Sequence, residues 1–307
     1  MQKSIYTDLA MESRELNPEL QGVKEQTEEG YGVNISRIQV ETEEAAQMLE
    51  KPIGHYITLD APQLSERPLA LFEQVSKSLA KELSRLLESL GPEATVLVVG
   101  LGNRSITSDS LGPRVAEQVY VTRHVTQYLP DAVSKPIRAV CAVAPGVLGV
   151  TGIETMDIVR GVVDRLSPDI ILAVDALASR RAARISTTVQ LTDTGINPGS
   201  GVGNTRKGLN ADTFGVPVLA IGVPMVVYAT TISQDTISLI AEETGLHADE
   251  DKLRALAEKV SEEHLGTMIV TPKDVDQIAT DMSRILADAI NMALFGAAYE
   301  EVRMLIA

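Results

Sequence analysis

Four short apolar runs constrain the fold of this chain most strongly: TVLVVG (95–100), IRAVCAVA (137–144), DIILAVDA (169–176) and VPVLAIGV (216–223). Each is rich in β-branched residues and apolar throughout rather than alternating, the pattern of a strand covered on both faces. Between most of them lie helical periodicities, such as LGPRVAEQVYVTRHV and IETMDIVRGVVDRL. Buried strands separated by helices predict a three-layer α/β/α sandwich around a mostly parallel central sheet. A longer helix is expected from Pro68 to Leu90. Phe72, Val75, Leu79, Leu83, Leu86 and Leu90 form one stripe on it, with Pro68 in its first turn and Gly91-Pro92 as the stop. YGVNISRIQV and GHYITLDA read as strands and ISTTVQL as an antiparallel edge strand. TTISQDTISLIAEE and the stretch from Asp274 to Phe295 read as further helices. Residues 1–30 are polar and acidic and read as an exposed or loosely docked arm, which leaves 31–307 as one α/β/α domain.

Charge and composition remove several function classes. With 42 acidic and 27 basic residues the formal charge is −15, which is poorly suited to gripping a phosphate backbone. There is no Trp, and Phe and Tyr together number only ten, so stacking platforms for single strands are not expected either. No apolar run reaches the roughly 18 residues that span a membrane. The N-terminus MQKSIYTDLAMESRE lacks the apolar core of a secretion signal. Cys141 is the sole cysteine, which rules out an internal disulfide and a zinc–cysteine cluster and suits a reducing cytoplasm; its RAVCAVAP context reads as a core thiol.

In α/β sheets, ligands and catalytic groups gather beyond the carboxyl ends of the strands. Two acids stand there: Asp109, in the loop after TVLVVG, and Asp175, near the end of IILAVDA. Asp109 has an alternative role as N-cap of the helix that begins near Leu111. Asp175 has one as the ion-pair partner of Arg180 or Arg181. Brought together, two carboxylates cannot both ionise cheaply, so one holds a proton near neutrality. Such a pair can activate a water and protonate a leaving amine, which is peptide hydrolysis without metal or nucleophile.

Other motifs fall short. Gly100-Leu101-Gly102-Asn103-Arg104-Ser105 lacks the third glycine of a dinucleotide fingerprint. In TDTGINPGSGVGNTRKG the spacing of Gly203 and Gly208 resembles a phosphate loop, but Leu209 occupies the lysine position. That cluster is either a surface loop or a substrate-holding loop in which Arg206 and Lys207 supply the charge. Asp193-Thr194-Gly195 spells the D-T-G of all-β aspartic proteases, out of place in an α/β chain. No histidine pairs with an acid at metal-ligand spacing, and no cofactor is expected.

The whole chain resembles the germination protease family, the spore endopeptidases of endospore-forming bacteria. The likeness runs through TDLAMES, GHYITLDA, VVGLGNRSITSDSLGP, VTRHV, VAPGVLGVTGIET, PDIILAVDALA, LTDTGINPGSGVGN, GVPVLAIGVPMVV and MIVTPKDVD, in the family's order over most of Thr7 to Asp276. It implies an atypical aspartic endopeptidase with the α/β/α fold of hydrogenase-maturation peptidases. The family's substrates are small acid-soluble spore proteins in the spore core, and it assembles as a homotetramer. Its two proposed catalytic aspartates map onto Asp109 and Asp175. The resemblance also implies a zymogen that cuts itself after an acidic residue. Thr7-Asp8-Leu9-Ala10-Met11-Glu12 then marks Asp8–Leu9 as the bond and residues 1–8 as the propeptide. Neither nucleic acid nor membrane is an expected partner. The remaining alternatives are an α/β nucleotide- or anion-binding protein and a metal-dependent peptidase of the hydrogenase-maturation type. One departure stands out: familiar members carry a long extra segment where this chain has only residues 241–269.

Overall fold

The computed structural model of the chain describes residues 6–30, 32–196, 208–244 and 264–306. Its middle layer is one mixed sheet of nine strands among the described residues. The four apolar runs form its parallel half. β4 (Thr95–Gly100) lies between β5 (Ala139–Val143) and β6 (Ile170–Ala178), and β6 pairs in turn with β8 (Val218–Tyr228). The other half is antiparallel. β1 (Val23–Glu29), β2 (Asn34–Val40) and β3 (Gly54–Asp60) form a meander, which β7 (Thr188–Thr192) joins to β8. Two-residue β9 (Ile269–Val270) pairs with the far end of β8. The expected α/β sandwich is therefore present, with parallel pairing confined to four strands. ISTTVQL does supply an antiparallel strand, but an internal one, hydrogen-bonded on both sides.

Alternating side chains divide the sheet between two helical layers. Val96, Val98, Ile170, Leu172, Val174, Leu219 and Ile221 face one core. Covering it are α3 (Leu69–Leu86), α4 (Leu111–Gln118) and the long helix Val275–Phe295. From α3 this core takes Leu71, Val75, Leu79, Leu83 and, just past its end, Leu87; Phe72 and Leu86 flank the stripe half-buried. On the opposite face Leu97, Val99, Ile171, Ala173 and Ala220 pack with Val159 and Val163 of α7 (Thr155–Leu166) and Phe214 of α8 (Ala211–Phe214). On that same side, over β2 and β3, α1 (Ala10–Leu16) and α2 (Glu43–Leu49) close a smaller core with Ile38, Val40 and Tyr56. LGPRVAEQVYVTRHV is not one helix. It breaks between α4 and α5 (Arg123–Tyr128), where Thr122 turns to the edge of β5. There the Thr122 N–H donates to the Val140 carbonyl, and the Val140 N–H to Thr122 Oγ1, each at 3.0 Å. A short α6 (Leu148–Thr151) follows β5, and α9 (Ala229–Thr244) follows β8.

The N-terminal segment is held rather than loose. Leu9, Ala10 and Glu12 have no exposed surface. A buried carboxylate needs donors, and Glu12 finds them beyond β6. The N–H groups of Arg180 and Arg181 donate to it at 2.6 and 3.0 Å, and the Arg184 guanidinium lies 3.1 Å away. β1, by contrast, is a largely exposed edge strand guarded by Lys24, Glu25, Glu28 and Glu29. Glu12→Ala leaves two N–H groups without their acceptor and the Arg184 guanidinium with Glu15 alone. We expect it to lower the unfolding free energy by about 3–5 kcal/mol in urea titrations and to open residues 6–16 to limited proteolysis.

Candidate active site

The loop after β4 is a compact turn that delivers one carboxyl group. Gly102 has φ +113°, and a Cβ there would stand 2.1 Å from the Asp109 carbonyl oxygen, so only glycine lets the loop close on itself. Asp109 ends a 3₁₀ turn, Thr107–Asp109, and its Oδ2 accepts the Asn103 N–H at 2.8 Å. It does not cap α4, whose first turn has no side-chain cap. Asp175 lies near the end of β6, buried, with Oδ1 accepting the N–H of Ala176 at 2.8 Å. Neither neighbouring arginine neutralises it: Arg180 pairs with Asp235 at 2.7 Å and Arg181 with Glu15 at 3.6 Å.

These environments set the protonation of the two acids. Burial pushes the Asp109 carboxyl above its ordinary range, against the Asn103 N–H that favours the anion. Asp175 is pushed up well beyond, first by burial, then by the charge of Asp109, with a further contribution from Asp8. Asp175 is thus the acid that keeps its proton, and Asp109 the one that gives its proton up sooner.

Both line a cavity of about 400 Å³ that also receives the N-terminal segment. The Asp8 N–H donates to the Ala178 carbonyl at 2.9 Å, and the Ala178 N–H donates to Asp8 Oδ2 at 2.7 Å. The Tyr6 hydroxyl completes the set on Asp8 Oδ1 at 2.6 Å. Lys51 Nζ donates to the Thr7 carbonyl at 3.0 Å. Burial pushes the Lys51 amine down, opposed by Asp8, Glu50 and Glu12. Tyr56 lies on the wall, its phenol pushed up to about 12 by burial, and donates to the Pro52 carbonyl at 2.8 Å. Gln190 and Thr194 complete that side.

The two strand-end aspartates and Asp8 are therefore brought to one cleft, with Leu9 buried beside it. Arg206 and Lys207 lie outside the described residues. Asp193 of the D-T-G turns to His55: its Oδ1 accepts the His55 N–H at 2.8 Å and its Oδ2 lies 2.7 Å from Nδ1. Cys141 is half-buried against the α7 core, its thiol pushed up by burial. Lys51, Tyr56 and Gln190 carried no signal in the sequence beyond one polar residue inside the TVQL run. Among the described residues no three His, Cys, Asp or Glu side chains are placed to hold a metal ion, and no helix is long and apolar enough to cross a membrane.

The fold and site define an α/β protein in which two carboxyl groups and a segment of its own chain meet in one cleft. The chain belongs to the germination protease family, whose sequence model matches residues 2–264. It is 44% identical to a germination protease of Caldanaerobacter subterraneus subsp. tengcongensis over 305 aligned residues, 94% of each chain. It is 43% identical to that of Clostridium tetani, over 95% of each. The Bacillus subtilis germination protease is 38% identical over 343 aligned residues, covering 94% of this chain and 93% of that one. The shorter alignments show that a chain of this length is not peculiar to this protein.

The raised Asp175 pKa has a consequence for stability. Below the ordinary carboxylate range the group is protonated folded and unfolded, and it costs nothing. As pH rises the unfolded chain ionises freely while the folded one resists, so stability is lost. Asp175→Asn removes that loss. We expect it to raise the thermal unfolding midpoint at about pH 7–8 and to leave it unchanged near about pH 4, by calorimetry.

Proposed function

We propose that this protein is an aspartic-type endopeptidase of spore germination that first processes itself at Asp8–Leu9. The observation that carries this reading is the meeting of Asp109, Asp175 and the Asp8 segment in one cleft. Asp109, as the carboxylate, takes a proton from a water as the water oxygen bonds to the carbonyl carbon of an acidic residue. Asp175, as the acid, gives its proton to the departing nitrogen when the C–N bond breaks. The products are a new carboxyl terminus and a free amine, and no cofactor enters the step.

Family membership, and the name shared by its relatives, support small acid-soluble spore proteins as the substrates and the spore core as the place of action. A net charge of −15 suits an enzyme that handles DNA-coating proteins without gripping DNA itself. Arg206 and Lys207 are proposed to seat the acidic substrate residue, and the working form is proposed to be a homotetramer.

Asp109→Asn and Asp175→Asn, each checked for folding, should cut a spore DNA-coating protein about 10²–10⁴-fold more slowly than wild type. Wild-type activity in either folded variant refutes the pair. N-terminal sequencing of the matured chain should begin at Leu9. A chelator should leave the rate unchanged; loss restored by added metal would favour metal-dependent hydrolysis instead.

A further inference from the structure

The register of three strands sets a row of residues across the floor of the cleft. Asp175 of β6 pairs with Gly222 of β8, and Gly222 pairs with Gln190 of β7. Paired residues project to the same face, and this row faces the side of α1 and α7 because its neighbours Ala173 and Ala220 do. Gly222 supplies no side chain, and the Leu177 side chain takes the space above it, 2.5–2.8 Å from where a Cβ would stand. The Cα atoms of Asp175 and Gln190 on either side are two strand spacings apart, roughly 9–10 Å.

The segment around Asp8 lies against Gln190 of β7 and Ala178 at the end of β6. Gln190 Nε2 donates to the Asp8 carbonyl oxygen at 3.1 Å, and Gln190 Oε1 accepts the Ala10 N–H at 2.7 Å. One carboxamide thus spans the Asp8–Leu9 bond, gripping the acyl oxygen on one side and the next N–H but one on the other. Its orientation is dictated, because a flipped amide would set oxygen against oxygen and N–H against N–H. Leu9 N–H, on the nitrogen between, donates instead to Thr7 Oγ1 at 3.1 Å. The acidic residue itself is fixed by Ala178, through both its N–H and its carboxylate.

We propose that Gln190 is a catalytic residue of the cleavage: its amide defines which bond is cut and stabilises the carbonyl oxygen as it becomes negative. This rests on the reading of Asp8–Leu9 as the processed bond. A donor already aimed at that oxygen needs no reorganisation when charge develops there. Its neutrality matters equally. A lysine or arginine here would favour ionised Asp175 and remove the proton the leaving nitrogen needs, whereas a carboxamide stabilises the oxyanion and leaves the acid protonated. External substrates would lie in the same groove, with the carbonyl of their acidic residue on Gln190 Nε2.

The test uses the full chain and a synthetic peptide of residues 3–14. Gln190→Met keeps the side-chain length and removes both hydrogen bonds; Gln190→Glu keeps the acceptor and removes the donor. With both variants folded, self-processing and peptide cleavage should each slow by about 10²-fold, the loss typical of one oxyanion donor. The loss should fall on kcat, with KM little changed. A residue that merely anchors the arm would raise KM and spare kcat, and that result overturns the proposal, as does wild-type kcat in both variants. If wild-type protein leaves the peptide and itself intact, the proteolytic reading falls and takes this one with it. If wild type cuts and the variants match it, only the role of Gln190 falls.

Discussion

β7 is hydrogen-bonded antiparallel on both sides, to β3 and to β8, and it makes one sheet out of two. On one side lies a parallel sheet whose strand ends carry the carboxyl groups; on the other lies a meander that brings the N-terminal segment and its small core. A backbone strand is an efficient way to fix that relation, because every ladder bond it makes satisfies groups that would otherwise be buried and unpaired. A slip of one residue in β7 would turn Gln190 away from the cleft and put Val189 or Leu191 into it. Those two residues belong to the core beneath α3 and the long helix Val275–Phe295, so packing on one face enforces the register of the cleft-lining residues on the other.

The second constraint is electrostatic. Asp8, Asp109 and Asp175 share a cleft whose arginine neighbours are committed elsewhere, and Lys51, which also lines it, donates to the Thr7 carbonyl. Asn103, Ala176 and Ala178 each donate one N–H to a carboxylate oxygen. These bonds localise each acid, and burial followed by the charge of Asp109 holds the Asp175 carboxyl high. The glycine turn after β4 serves the same end. Gly100 and Gly102 both touch backbone that a Cβ would displace, Gly100 against Gly112 and Gly102 against Asp109, so the loop packs onto α4 and holds Asp109 close. What resembles half of a dinucleotide fingerprint is a device for close packing.

The parts of this fold legible in the sequence are those whose environment is uniform along the run. The four parallel strands are buried on both faces, so their apolar continuity survives. β7 is also buried on both faces, yet its Thr-Val-Gln-Leu-Thr alternation reads as an edge strand. Its polar side faces a polar cleft rather than water, and local pattern does not distinguish the two. The N-terminal segment misleads in the same way. Glu12 looks like surface charge because its partners Arg180, Arg181 and Arg184 are some 170 residues away. Asp109 and Asp175 were legible as strand-end acids. Their common cleft, and the alternatives of a helix cap or an arginine pair, depended on where long-range neighbours point.

The anchoring of the N-terminal segment is lopsided about the Asp8–Leu9 bond, and that bears on the direction of a cut there. On the carboxyl side, Leu9 and Ala10 are fully buried and Glu12 ties the segment to three arginine positions. On the amino side the holds are hydrogen bonds and one ring contact: Lys51 on the Thr7 carbonyl, Thr7 on Glu12, Ala178 and Gln190 on Asp8, and Tyr6 edge-on to Tyr228. Cleavage at this bond would leave α1 docked through buried Leu9, Ala10 and Glu12, while the amino-side fragment would keep only its hydrogen bonds and the Tyr6 contact. The new carboxyl group on Asp8 would add another negative charge to a cleft already short of donors, and like-charge repulsion there favours its departure. On the proposed mechanism, the same crowding that raises Asp175 would help drive product away from the pair.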